Sequence, residues 1–421
     1  MSGSGRHTAK RSNNPAGPLE GYRILELGNL IAAPYAGRLF AEFGAEVIKV
    51  EQPGTGDELR QWRVFAGHTS MWWLLQARNK KSITLDLRKA AGRELALDLV
   101  RRSDVVLENF RPGTLERWNL GYEAMREVNP DLTLVRLSGF GQTGPYRDRP
   151  GFGGVAEAMG GIRFTTGYPD RPPTRVGISL GDEVAGLFGV IGALMALLHR
   201  EHRRRAGEMD GSGQVVDIGL YEAVFALMEG LIPEYDAYGI IRRRTANMLP
   251  GLAPSNTYPC RGDQWVVIGA NADAIFPRLM EAIGRADLAK DARFAGNPGR
   301  ALHQEYLDQV IGEWTAQRTV DDVMDALVAA GVPAGPILDA AGVAGDPHYQ
   351  AREMLETHQV EVEPGSVKPV RFPGMVPKMS RTPGRTRWLG PTLSQHNEEI
   401  YCGLLGLSAQ RLAELKRLGV V

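Results

Sequence analysis

Cysteine is scarce. Cys260 and Cys402 are the two in 421 residues, too few for a disulfide framework, so the chain reads as a protein of a reducing compartment and is expected in the cytoplasm. Net charge is absent as well: Lys plus Arg and Asp plus Glu stand at 49 each, which removes any long-range pull toward nucleic acid or an anionic membrane. The eight histidines are scattered. His199 and His202 lie within one turn in "HREHRRR", but no third ligand is nearby, and no metal site is expected. No segment reaches the roughly 18 to 20 apolar residues of a membrane span; the Val184 to Leu198 run is too short and contains Gly186, Gly189 and Gly192. The start, "MSGSGRHTAKRSNNPAG", lacks the apolar core of a secretory signal and reads as a disordered arm over residues 1–18.

What is present is alternation. From Gly21 to Ser138, short apolar strands ("YRILEL", "EVIKVE", "SITLDL", "DVVLEN", "LTLVRLS") are separated by helical stretches such as "PYAGRLFAEFG", "KAAGRELALDLVRR" and "YEAMREV". That order implies βαβ units and a parallel sheet covered on both faces. Ligands of such sheets bind in loops at the carboxyl ends of the strands, which singles out the loops after Leu27, Glu51, Glu108 and Ser138. A large α/β domain is expected over 19–220. A smaller α+β domain follows at 235–332, with a hairpin turning at Arg261–Asp263 and helices near 272–284, 302–316 and 319–331. Residues 333–421 return to strand-like pieces and a closing helix that complete the large domain.

Two motifs carry chemistry. "GFGQTG", Gly139 to Gly144, matches G-x-G-x-x-G by letter, but "PYRDRPGFGG" after it starts no helix, so the dinucleotide fingerprint fails its context and a glycine-rich active-site loop is the better reading. The second is Asp182, a carboxylate at the entrance to the apolar Val184–Leu198 run. By local pattern it is either a helix N-cap or a reactive group.

The blocks "LEGYRILELGNLIAAPYAGRLFAEFGAEVIKVEQPGTGD", "NKKSITLDLR", "DVVLENFRPGTLERWNLGYE", "LSGFGQTGPY", "GDEVAGLFGVIGAL" and "LGPTLSQHNEEIYCGLLGLS" resemble, in order and over nearly the whole chain, the class III CoA-transferases, the family of formyl-CoA transferase and the carnitine and bile-acid CoA-transferases. The resemblance implies a Rossmann-like large domain, an interlocked homodimer and CoA thioesters as substrates with no permanently bound cofactor. It makes Asp182 the nucleophile, which attacks an acyl-CoA to give a mixed anhydride and then an aspartyl-CoA thioester. By position it puts CoA contacts on Ile31, Ala32, Asn79, Lys80, Asn109, Phe110, Arg117 and Ser138, and the glycine loop (Gly139, Gly141, Gln142) on the substrate.

Against formyl-CoA transferase itself, Ile31 replaces a Gln, Gln52 an Arg and Ser138 a Lys, and the tetraglycine loop has no counterpart; formyl-CoA and oxalate are therefore disfavoured. An α-methylacyl-CoA racemase needs a histidine where Phe152 stands, and no histidine occurs between His68 and His199. A non-catalytic CoA-binding protein is the remaining alternative, and the intact Gly181-Asp182 pair argues against it. Arg60 and Arg63, in "GTGDELRQWR", suggest a guanidinium fork for the far carboxylate of a dicarboxylic acid; succinyl-CoA as donor and malate, citramalate, itaconate or mesaconate as acceptor are what the resemblance to family members using those substrates implies.

Overall fold

A computed structural model describes residues 17–208 and 211–421; the arm expected at 1–18 lies, as far as Ala16, outside the described residues. The chain forms two compact units. The larger comprises the described residues up to Ile162, Val176–Glu229 and Glu353–Val421, and the smaller Arg163–Arg175 and Gly230–Arg352. The smaller unit thus runs about twenty residues beyond the boundary read from sequence, because strand Ala334–Pro336 pairs with Gln264–Gly269.

The larger unit is built on six strands: β1 (Arg23–Glu26), β2 (Glu46–Glu51), β3 (Lys80–Thr84), β4 (Val105–Glu108), β5 (Thr133–Ser138) and β6 (Gln214–Gly219). All are parallel, in the order β3-β2-β1-β4-β5-β6. The first five fall on the expected strand stretches, β3 beginning at Lys80 and ending at Thr84 rather than running through "SITLDL"; β6 was not expected. Alternate residues face opposite ways, so Leu25, Ile48 and Val106 enter one core while Ile24, Val47 and Val105 enter the other. Helices α1 (Ala32–Glu42) and α5 (Leu180–Arg205) cover the second face. Helices α2 (Ala90–Val100), α3 (Tyr122–Val128) and the closing helix Ala409–Arg417 cover the first. A short α4 (Gly153–Met159) stands before α5. The chain works outward from β1 to β3 and then returns to β4, so the topological switch point lies between β1 and β4, where such sheets open a crevice for ligands.

Helix α5 corrects one expectation. It is 26 residues long, and by length and composition it is apolar enough to cross a membrane, because the helix extends beyond the Val184–Leu198 run at both ends. Its inward side is seated on the sheet and α1. A Cβ on Gly186 would lie 2.8 Å from the Ala32 carbonyl oxygen, and one on Gly192 would lie 2.5 Å from Val216 Cγ1. The glycines let α5 approach α1 and the strands at distances no larger residue permits.

Strand β3 is an edge, and the return segment closes it. Asn79 N–H donates to the Trp388 carbonyl at 3.0 Å, and His396 N–H to the Ser82 carbonyl at 2.9 Å. Ser82 N–H donates to His396 Nδ1 at 3.1 Å, and Thr84 N–H to Asn397 Oδ1 at 2.9 Å. An exposed edge would otherwise template pairing with another chain. Burial lowers the His396 pKa from its ordinary value, as expected for a ring that must accept a proton through Nδ1. A depressed pKa means that the unfolded chain takes up the proton first. Stability linked to His396 is therefore present above about pH 6.5 and is lost as pH falls below it. Urea midpoints measured between about pH 7.5 and 5.5 are expected to fall further for wild type than for His396→Gln; equal falls would remove His396 from the edge closure.

In the smaller unit, strands Ser255–Cys260 and Gln264–Gly269 form the expected hairpin, and Ala334–Pro336 adds a third antiparallel strand. Helices Phe276–Ala282, Gln304–Ala316 and Val320–Ala329 pack a core around Tyr258, Val266, Leu279 and Leu307. The buried Arg300 ties this unit together, donating to the carbonyls of Ala253, Phe294 and Asn271.

Candidate active site

Asp182 is not the N-cap of α5. That position is Ser179, and Asp182 is the third residue of the helix, followed by a second acid, Glu183. Its half-buried carboxylate is seated on Gly153, the first residue of α4: a Cβ there would collide with the carboxylate, only 2.7 Å from Asp182 Cγ. A Cβ on Gly181 would meet the Gly153 carbonyl oxygen at 2.8 Å. The buried Glu157, one turn further along α4, approaches the Gly181 N–H at 3.5 Å. Both glycines are thus required by close approach, and the carboxylate rests where the first-turn amides of a long helix favour its anionic form. Burial raises the pKa of Glu183 while Arg38 on α1 opposes the shift.

Loops at the carboxyl ends of the strands come next. Asn109, after β4, donates through Nδ2 to the Asn29 carbonyl at 2.7 Å and accepts the Asn29 N–H at 2.8 Å. This clasp joins the two loops that flank the switch point. Leu30 in the first loop has φ +65°, and its N–H is held by Asp57 at 3.0 Å. Ile31 and Ala32 begin α1 with buried side chains, so a ligand meets them only through backbone. Beside these loops is a cavity of about 250 Å³ lined by Asn29, Gln52, Arg88, Phe110 and Trp118 among others. Phe110 and Trp118 meet edge to face at 5.4 Å, and Arg88 is mostly exposed and paired with Asp86 at 2.9 Å. Arg117 is exposed on a short helix and donates to Thr114 Oγ1 at 2.9 Å.

Several predicted residues are committed elsewhere. Asn79 lies at the amino end of β3, the wrong end for a ligand, and its side chain bonds the Ala41 and Arg385 carbonyls and the Arg387 N–H. Lys80 is buried, with Nζ on Glu26 at 2.8 Å and the Pro34 carbonyl at 2.7 Å, and burial lowers its pKa to about 8. Arg60 is buried too. It forks Glu51 at 2.7 and 2.8 Å, donates to the Pro391 carbonyl and lies 3.8 Å over the Trp73 ring. The carboxylate that it grips is the protein's own. Arg63 remains exposed, 4.9 Å over Trp72. Ser138 ends β5 with its hydroxyl 3.4 Å from Gln142 Nε2, at the root of the loop that carries Gly139 and Gly141. Arg88 and Trp118, which sequence reasoning did not single out, line the cavity beside the switch-point loops. The signal for Arg88 was available, since "DLRKA" follows a strand's carboxyl end like the other loops.

A family model for CoA-transferase family III matches residues 19–397. The chain belongs to that family. It is 51% identical over 412 residues to the succinyl-CoA--D-citramalate CoA-transferase of Chloroflexus aurantiacus, covering 97% of this chain and all of that one. It is 38% identical over 407 residues to the beta subunit of the succinyl-CoA--L-malate CoA-transferase of the same organism, covering 96% and 98%. The crystal structure of a CAIB/BAIF family protein from Brucella suis superposes with a TM-score of 0.81 at 33% identity, covering 93% of this chain and all of that one. As a family III CoA-transferase the protein is an enzyme that acts on CoA thioesters. Phe152, where a racemase would carry its histidine, caps α4 and is 69% exposed, with no proton to exchange.

Proposed function

We propose that the enzyme moves CoA from succinyl-CoA to a small dicarboxylate of the malate, citramalate, itaconate or mesaconate type, with Asp182 as the nucleophile. The observation that carries this reading is the Asp182 carboxylate, seated on Gly153 in the first turn of α5. An Asp182 oxygen attacks the thioester carbonyl, the C–S bond breaks, and CoA leaves as thiolate with the acyl group held as a mixed anhydride. The thiolate then attacks the Asp182 carbonyl, expelling succinate and leaving an aspartyl-CoA thioester. The acceptor carboxylate attacks in turn, and the same steps run backward to the new acyl-CoA. The helix terminus stabilises the carboxylate each time it is regenerated.

The cavity beside the switch point suits the nucleotide end of CoA, with Phe110 and Trp118 as an aromatic wall for adenine and Arg88 free to turn from Asp86 to a phosphate. Arg63, the arginine of its loop not bound internally by a carboxylate, is proposed to hold the far carboxylate of the acceptor. Two cysteines without a disulfide fit the cytoplasm. A homodimer is proposed as the assembly: Ile191, Met195 and Leu198 leave an apolar stripe exposed on α5, and a sedimentation mass of one chain would exclude it.

The test is CoA transfer from succinyl-CoA to a panel of mono- and dicarboxylates, wild type beside Arg63→Ala. Dicarboxylates are expected to lead, and Arg63→Ala to raise their KM roughly tenfold, the order expected for one charged hydrogen-bonded contact. Equal transfer to monocarboxylates would refute the acceptor class.

A further inference from the structure

The loop between β5 and α4 is closed at its neck by two glycines. A Cβ on Gly139 would lie 2.8 Å from Gly151 Cα, and one on Gly151 would lie 2.9 Å from Gly139 Cα. The ends of the loop therefore touch backbone to backbone. Two residues beyond the neck is Gly153, the seat of the Asp182 carboxylate, so any shift of the loop is delivered to the nucleophile. Inside the loop, Phe140 is buried, with its ring 6.1 Å from Tyr146 and 6.2 Å from Tyr221. Gly141 and Gly144 both have φ +81°, a left-handed geometry that glycine adopts without strain.

A carboxylate reaches that crown from outside the loop. Both carboxylate oxygens of Asp217, near the carboxyl end of β6, accept the Gln142 N–H, at 3.1 and 2.9 Å. A Cβ on Gly141 would make only ordinary contact with that carboxylate, at 3.7 Å, so it is the left-handed φ of +81° that calls for glycine there. Partial desolvation raises the pKa of Asp217, the Gln142 amide opposes the rise and Glu222 adds to it, although the residue itself lies at an exposed position of β6. The carboxylate stands beside another acid and is held there by the loop amide.

We propose that Asp217 is a positioning residue, a latch whose bond to Gln142 N–H keeps the Gly139–Gly151 loop in place beside Asp182 and keeps water from the acyl-enzyme. The inference rests on Asp182 as the nucleophile. A mixed anhydride is open to water: the water oxygen bonds to the acyl carbon, the bond to the aspartyl oxygen breaks, and Asp182 is released as a carboxylate with one proton to solvent. The net leak is acyl-CoA plus water giving free acid plus CoA. Excluding water from such intermediates is a recognised task of active-site loops.

The experiment measures free CoA thiol and acyl-CoA product together, with succinyl-CoA and the best dicarboxylate, in wild type, Asp217→Ala and Asp217→Asn. Asp217→Ala is expected to raise the ratio of hydrolysis to transfer roughly tenfold, in keeping with the loss of one hydrogen bond to a charged group. Asp217→Asn keeps an acceptor for the Gln142 N–H and is expected to hold the ratio within about twofold of wild type. An unchanged ratio in Asp217→Ala overturns the latch. If Asp217→Ala does not fold, Asp217→Ser, too short to span to Gln142, takes its place. Adding Asp182→Ala to the alanine variant separates the two ideas. Thiol release that stops supports leakage through the covalent intermediate; release that persists means the Asp182 reading has failed, whatever the ratio.

Discussion

Asp182→Ala is expected to lower CoA transfer by roughly a thousandfold or more, the scale seen when a covalent nucleophile is deleted, with the KM for succinyl-CoA changed little. The split follows from geometry. The proposed nucleotide pocket is lined by the loops after β1, β2, β3 and β4, none of which carries Asp182, so binding survives when the chemistry does not. Asp182→Glu is expected to fail as well. The carboxylate already lies against Gly153 with no room for a single added carbon, so a longer side chain must leave the seat. Trapping tests the covalent step directly: borohydride or hydroxylamine added during turnover should modify the peptide that carries Asp182 in wild type and leave the alanine variant unmodified. Residual transfer within about tenfold of wild type in Asp182→Ala would end the nucleophile assignment.

Much of this was legible from the chain, and the misses have physical causes. Strands β1 to β5 are largely buried on both faces, so each leaves a short apolar-rich stretch that local pattern reveals, even where β2, β3 and β5 carry the buried Lys49, Lys80 and Arg136. β6 is "QVVDIG", exposed at its start and with Asp217 pointing outward; an edge strand with mixed burial resembles a polar loop. Asp182 stood out in the sequence, but its position within the helix did not, because a cap and a first-turn acid look alike when the cap residue, Ser179, makes no side-chain cap bond. The burial of Arg60, Lys80 and Asn79 was not legible, for a common reason. A charge in a loop-like string is ordinarily solvated, and whether it is buried depends on partners distant in sequence: Glu51 and Pro391 for Arg60, Glu26 for Lys80, Arg385 and Arg387 for Asn79. No local pattern carries that information.

The same buried charges yield the second large effect. Lys49→Met is expected to destabilise the enzyme by about 3–5 kcal/mol, as when one member of a buried ion pair is removed. Lys49 Nζ lies 2.7 Å from Asp57 and 3.4 Å from Glu26, with all three side chains essentially buried, and it donates to the Gly28 carbonyl. Burial alone would lower its pKa, but Asp57 and Glu26 outweigh burial and raise it, so it is charged at neutral pH. Burial likewise opposes ionisation of Asp57, and Lys49 with the Leu59 and Leu30 amides overcomes it and lowers that pKa. Methionine preserves most of the volume and removes the charge, leaving the Asp57 carboxylate without its cation in a dry site while Glu26 keeps Lys80. The consequence is functional as well as energetic, because Asp57 and Lys49 hold the Gly28–Leu30 loop that Asn109 clasps. The KM for succinyl-CoA is therefore expected to rise in the folded fraction. Urea titration gives the stability change as a shift in midpoint at constant slope. Lys49→Met with Asp57→Asn added should recover part of the loss, since asparagine removes the stranded charge and still accepts an amide. A single-variant cost under about 1 kcal/mol would mean the site is wet enough to solvate its carboxylates, and the loop would have to owe its shape to Asn109 alone.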